Sequence, residues 1–138
     1  MIVKKLASND LINYPTLIHP SALVSDITNI IGKGVIIAAG CIITCNVEVK
    51  DFVILNLLCT IGHNTLIEKY CSFMPSVNIS GDVVVRELVY VGTGAKIINR
   101  LEVGYNSTIG AGAVIIKDIP DYAVVVGNPG KIVKYNEK

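Results

Sequence analysis

Cut into six-residue segments from Ile31, the chain keeps one phase for fifteen consecutive segments. Every sixth residue from Ile31 to Ile115 is apolar, as in Ile31, Ile37, Ile43, Val49 and Leu55. Four residues further on stands a small or β-branched side chain in nearly every segment, as in Val35, Cys41, Val47, Val53, Cys59 and Thr65. An apolar content of 51% does not produce such a run by chance. A helix repeats every 3.6 residues and a plain strand every 2, so a period of six requires a short extended piece followed by a turn.

Composition agrees with an all-β chain. Ile and Val together number 39 against 10 Leu, aromatics make up 6%, and Trp is absent. β-Branched side chains fit a pleated surface, whereas Leu is the better helix former. The length of 138 residues suits one domain, and a charged fraction of 17% beside so much apolar content excludes disorder. The longest apolar stretch, Val35 to Ile43, carries Gly40 and is about half the roughly 20 residues a bilayer needs. The basic start has no apolar segment behind it, so the expected location is cytoplasmic. A net charge of +1 without a basic cluster argues against nucleic acid as a partner.

Cys41, Cys45, Cys59 and Cys71 have no CxxC spacing. Three of them, Cys41, Cys59 and Cys71, fall in the small inward slot of the repeat, where a thiol serves as a compact hydrophobe.

The segments Ile31-Gly32-Lys33-Gly34-Val35, Ile61-Gly62-His63-Asn64-Thr65, Val91-Gly92-Thr93-Gly94-Ala95 and Ile109-Gly110-Ala111-Gly112-Ala113 resemble the hexapeptide-repeat acyltransferases. The resemblance implies a left-handed parallel β-helix, a three-sided prism with 18 residues per coil and one hexad per side. It divides the chain into an N-terminal extension (1–17), a β-helix of about five to six coils (18–120) and an exit segment (121–138), with a one-residue insertion in the first, partial coil. Residues 18 apart then stack at about 4.8 Å, so the sequence can be read in columns. In that reading Asn46, Asn64, Asp82, Arg100 and Asp118 mark a solvated face. Gly34, Phe52, Tyr70, Leu88 and Asn106, near Ile36, Ile54 and Tyr90, mark a face with outward apolar side chains that calls for a partner subunit. Gly40, Leu58, Ser76, Gly94 and Gly112, with Gly92 and Gly110 at the corner, mark a bare strip.

Only two histidines are present. His19, in Ile18-His19-Pro20, is expected to be a structural feature of the first coil. His63 lies outside the inward slots, in a column with Cys45 and Gly81, so it has open space beside it. The motif Asn56…Ile61-Gly62-His63-Asn64, followed by Ser80-Gly81-Asp82, resembles the sugar O- and N-acetyltransferase branch of the family.

That resemblance implies acetyl transfer from acetyl-CoA to a sugar or nucleotide sugar, with His63 as general base, Asn64 beside it and Gly81 as oxyanion donor. Asn56 would bind the acceptor. The acetyl-CoA contacts would be Ser72, Gly92, Thr93, Gly94, Gly110, Ala111, Gly112 and Lys131 of the exit loop, in a groove between subunits of a homotrimer. No metal is expected. Asn64 replaces the Asp or Glu common in the family, and Ser72 a common histidine. The N-terminal sugar-binding domain of many members has no counterpart in the 17 residues before the first coil. Two alternatives compete. One is a non-catalytic β-helix scaffold or binding protein. The other is a γ-carbonic-anhydrase-like metal enzyme, which wants three histidines per site.

Overall fold

The structure, a computed structural model, describes residues 9, 12–25 and 28–137. It is a left-handed parallel β-helix of about six turns, with no helix among the described residues. Its two-residue strands alternate with two-residue turns and build three parallel sheets. The first contains Ile36–Ile37, Ile54–Leu55, Ser72–Phe73, Tyr90–Val91 and Thr108–Ile109; the second Ile42–Ile43, Thr60–Ile61, Asn78–Ile79, Lys96–Ile97 and Val114–Ile115; the third Ile30–Ile31, Glu48–Val49, Leu66–Ile67, Val84–Val85 and Glu102–Val103.

Through the body each residue pairs with the one 18 further on, as Ile54 with Ser72 and Ile61 with Ile79. Leu17 and Leu23 pair instead with Ile36 and Ile42, 19 residues on, whereas Ile30 pairs with Glu48. The extra residue of the first coil therefore lies between Val24 and Ile30. At the other end Val103 bridges Ile119 and Thr108 pairs Val124, only 16 residues on. The last turn is thus two residues short, and Ile119 occupies the large aliphatic column rather than the small slot where the period would put it. Ala123–Val126 then joins the first sheet and pairs antiparallel with Lys131–Tyr135.

Both inward columns are buried from Val35 to Ile115 except at the partly buried Leu101, and they include Phe73, the largest wholly buried side chain. The polar members of the small slot are satisfied locally: Thr65 donates to the Ser80 carbonyl and Ser107 to that of Gly104. The slot cysteines behave alike, with Cys41 donating to the Asn56 carbonyl, Cys59 to Met74 and Cys71 to Arg86, each on the next coil. Burial raises the Cys41 thiol and pushes Cys59 up to about 11 and Cys71 to about 12. A thiol so protonated is a poor nucleophile. Cys45 alone is exposed. The expected outcome of thiol titration with an aromatic disulfide is about one reactive thiol per native chain and four after denaturation.

The fourth hexad position does not lie on a flat face. It is the second residue of each turn, in the left-handed backbone region, with φ of 56° at Asn64, 59° at Phe52 and 60° at Leu58. Three corners result: a glycine corner between the first and second sheets, a histidine corner between the second and third, and an aromatic corner between the third and first. At the last, Tyr14 meets Phe52 edge-on at 5.1 Å and Phe52 stacks on Tyr70 at 5.5 Å. The chain's own Tyr14 thus covers part of the column expected to call for a partner. Exposed apolar side chains lie on the outward side of the first sheet at Leu17, Ile36, Ile54 and Tyr90, and at Leu57 and Leu58 of the glycine corner. Others lie on the second sheet at Leu23 and Ile42, with Ile98 and Ile116 just beyond it, and on the exit hairpin at Val133 and Tyr135. The third sheet is the solvated one, where Arg86 bridges Glu68 (3.1 Å) and Glu102 (2.7 Å).

Candidate functional site

His63 stands in the turn that leaves the second sheet, and the glycine before it is a packing requirement. A Cβ on Gly62 would lie 2.4 Å from the Gly81 nitrogen and 2.5 Å from the Ser80 carbonyl carbon. The two coils therefore touch backbone to backbone here. Gly81 serves a different purpose: a Cβ on it would fall 2.5 Å from both Cε1 and Nε2 of His63. The imidazole lies over the face that Gly81 leaves bare, and any side chain at 81 would take its place. The ring is exposed and has no side-chain hydrogen-bond partner among the described residues. The carbonyl of His63 accepts the Asp82 N–H at 2.8 Å, which locks the two coils together at this corner. The Gly81 N–H donates to no protein group among the described residues.

Asn64 does not bond to the imidazole. Its Nδ2 donates to Asp82 Oδ1 at 2.9 Å, and its Oδ1 accepts from Asn46 Nδ2 at 3.2 Å. Sequence reasoning left Asn46 and Asp82 out of the site, although both stand 18 residues from Asn64, which is the signal that could have found them.

Asn56, Gly92, Thr93, Gly94, Gly110, Ala111 and Gly112 belong to the glycine corner and its approach from the first sheet, and Ser72 lies on that sheet's outward side. The exit hairpin brings Lys131 to the same edge. It pairs with Val126, which packs where a Cβ of Gly110 would be, and Gly130 donates to the Val114 carbonyl. Asn56 Oδ1 accepts the Leu57 N–H at 2.8 Å, which folds its side chain onto its own turn.

The glycines divide into two kinds. Gly92 is packed, because a Cβ there would come within 2.5 Å of the Ala111 nitrogen. Gly94 and Gly112 have nothing within 4 Å of the missing Cβ. Their positive φ does not demand glycine either, because the same turn holds Leu58 and Ser76 two coils and one coil before Gly94 at φ near 60°. The corner is therefore bare at 94 and 112 beyond what the backbone requires, and an extended ligand can lie against it there.

The predicted residues thus form two groups on one prism. His63, Asn64 and Gly81 share the histidine corner, and the remaining candidates line the glycine corner and first sheet. The whole width of the second sheet separates them within a chain. His19 is tied into the first coil: its Nδ1 lies 2.9 Å from Ser21 Oγ, which in turn accepts the Gly40 N–H.

No family model matches the chain. It is 33% identical over 88 residues to a serine acetyltransferase of Bacillus subtilis, covering 62% of this chain and 41% of that protein. A serine acetyltransferase of Buchnera aphidicola is 37% identical over 83 residues, covering 54% of this chain and 32% of its own length. Among solved structures, PerB of Caulobacter crescentus in complex with CoA and GDP-perosamine superposes with a TM-score of 0.93 at 30% identity, over 96% of this chain and 64% of that one. The acetyltransferase domain of PglB from Neisseria gonorrhoeae gives 0.91 at 37% identity, over 96% and 63%. The chain thus spans about a third to two fifths of these curated relatives and just under two thirds of these solved chains. In sequence and in fold it is similar to acetyltransferases built on the hexapeptide-repeat β-helix.

Proposed function

We propose that this chain is an acetyl-CoA-dependent acetyltransferase acting on an amine or hydroxyl of a nucleotide-linked sugar, and that it works as a homotrimer. The observation that carries the reading is the pair of corners: an exposed imidazole seated over a glycine with no side-chain partner among the described residues, and a backbone strip left bare at 94 and 112. A scaffold needs neither. Similarity to PerB and to the PglB acetyltransferase domain favours a sugar acceptor over serine, because those structures match nearly the whole chain and the serine acetyltransferases only part of it.

In the reaction, acceptor nitrogen or oxygen attacks the thioester carbonyl carbon while His63 removes its proton, which an imidazole can do near neutral pH. The carbonyl oxygen becomes an oxyanion, and the N–H of Gly81, which has no acceptor among the described residues, is the fixed donor for it. The C–S bond then breaks, the acetyl group stays on the acceptor, and the imidazolium returns its proton to the departing CoA sulfur. Asn56 holds the acceptor. Ser72, the small residues 92–94 and 110–112, and Lys131 hold the extended acetyl-CoA.

The two corners meet only between chains. The histidine corner of one copy must face the glycine corner of the next, a heterologous contact that closes as a ring. A homotrimer is such a ring, and it also buries the apolar outward side of the first sheet. Two measurements test the reading. Purified protein is expected to release CoA from acetyl-CoA with GDP-perosamine or another nucleotide-linked amino sugar, and less readily with L-serine. Failure with every amino sugar, together with no acetyl-CoA binding by calorimetry, leaves the scaffold as the better account. For the shared site, His63→Ala and Gly112→Leu variants, each inactive alone, are mixed by refolding together. Random assembly makes roughly a quarter of the junctions intact, so roughly a quarter of wild-type activity is expected to return. No recovery would place the whole site within one chain.

A further inference from the structure

We propose that Asp82 is the positioning residue that supplies negative charge to the His63 site, an assignment that rests on His63 being the base. A base that takes a proton becomes a cation, and a nearby carboxylate favours that state. Along the histidine corner, the turn residues within one coil of His63 are Cys45, Asn46, Asn64, Gly81 and Asp82, and of these only Asp82 is an acid.

The hydrogen bonds hold it in place. Its N–H donates to the His63 carbonyl at 2.8 Å, and its Oδ1 accepts from Asn64 at 2.9 Å. A carboxylate only accepts, so Asp82 fixes the polarity of the ladder: Asn64 must turn its NH2 toward Asp82 and its oxygen toward Asn46. The carboxylate is thereby fastened next to Gly81, the residue on which the imidazole lies. Arg100 is the next residue of the Asp82 column, one coil on, with Lys117 and Asp118 a further coil away, yet no ion pair closes on Asp82 among the described residues. No ion pair joins the carboxylate to the imidazole among the described residues, so its charge acts on the site through space.

The test moves the carboxylate by one coil. Asp82→Asn is expected to lower kcat for CoA release with a nucleotide-linked amino sugar about tenfold, with the KM for acetyl-CoA unchanged. The double variant Asn64→Asp/Asp82→Asn keeps an acid and an amide bonded across the same two positions, with the order reversed. It is expected to recover activity to within about threefold of wild type. Because both variants keep a hydrogen-bonded pair at 64 and 82, the pH profile of kcat separates charge from structure: it moves in Asp82→Asn and returns in the double variant, whereas a purely structural role leaves it unmoved. Thermal unfolding of each variant checks that the coils are intact. The assignment is overturned if Asp82→Asn keeps the wild-type kcat, or if the double variant is as slow as Asp82→Asn alone. Full CoA release by His63→Ala would instead overturn the reading of the site itself.

Discussion

His63→Ala is expected to lower kcat for CoA release by about 10²- to 10⁴-fold, the range a general base contributes. Stability is expected to stay within about 0.5 kcal/mol of the parent, because the ring is exposed and its side chain holds no partner among the described residues. Binding of acetyl-CoA, measured by calorimetry, is expected to persist, since the proposed cofactor groove lies at another corner. A variant that keeps its activity would sink the assignment of the base. One that loses acetyl-CoA binding would mean that the two corners had been wrongly separated.

Gly81→Ala is expected to reduce activity by at least about 10²-fold through displacement alone, because loss of a reactive geometry by an ångström costs that much. The new methyl would fall 2.5 Å from Cε1 and Nε2 of His63, and the exposed ring must swing away. The backbone at 81 is not in the left-handed region, so Ala fits it without strain. Activity therefore falls while the melting temperature hardly moves. Gly62→Ala is the contrasting control. There the methyl meets backbone at 2.4 Å, which no side-chain rotation relieves, and the coil contact itself is expected to give way with a loss of about 1–3 kcal/mol. If Gly81→Ala matches the parent in kcat, the ring does not work from its seat over Gly81.

Much of this was legible in the sequence, because a column of stacked residues is a spatial statement made by arithmetic. The inward columns, the packing of Cys41, Cys59 and Cys71, the extra residue in the first coil and the open seat of His63 all follow from counting by six and by eighteen. Other features needed coordinates. Asn46 and Phe52 were expected on faces and are found in turns, since hydrophobic period locates a residue along the repeat without giving its φ. The shortened last turn was invisible because Ile119 suits either inward column. Asn64 looked like a partner for the imidazole by adjacency, yet its amide finds Asn46 and Asp82 one coil away.

The constant step of 18 between paired residues has a bearing on how such a chain can change length. Adding or removing a whole coil leaves every downstream side chain on its own side of the prism, and the loss is confined to one layer of nearest-neighbour contacts. Any other increment rotates the rest of the molecule unless a turn absorbs it, as the turn between Val24 and Ile30 absorbs one residue. Length in this architecture is therefore quantised. A tolerated insertion of arbitrary size belongs at a corner, and one at the histidine or glycine corner would disturb the site proposed above.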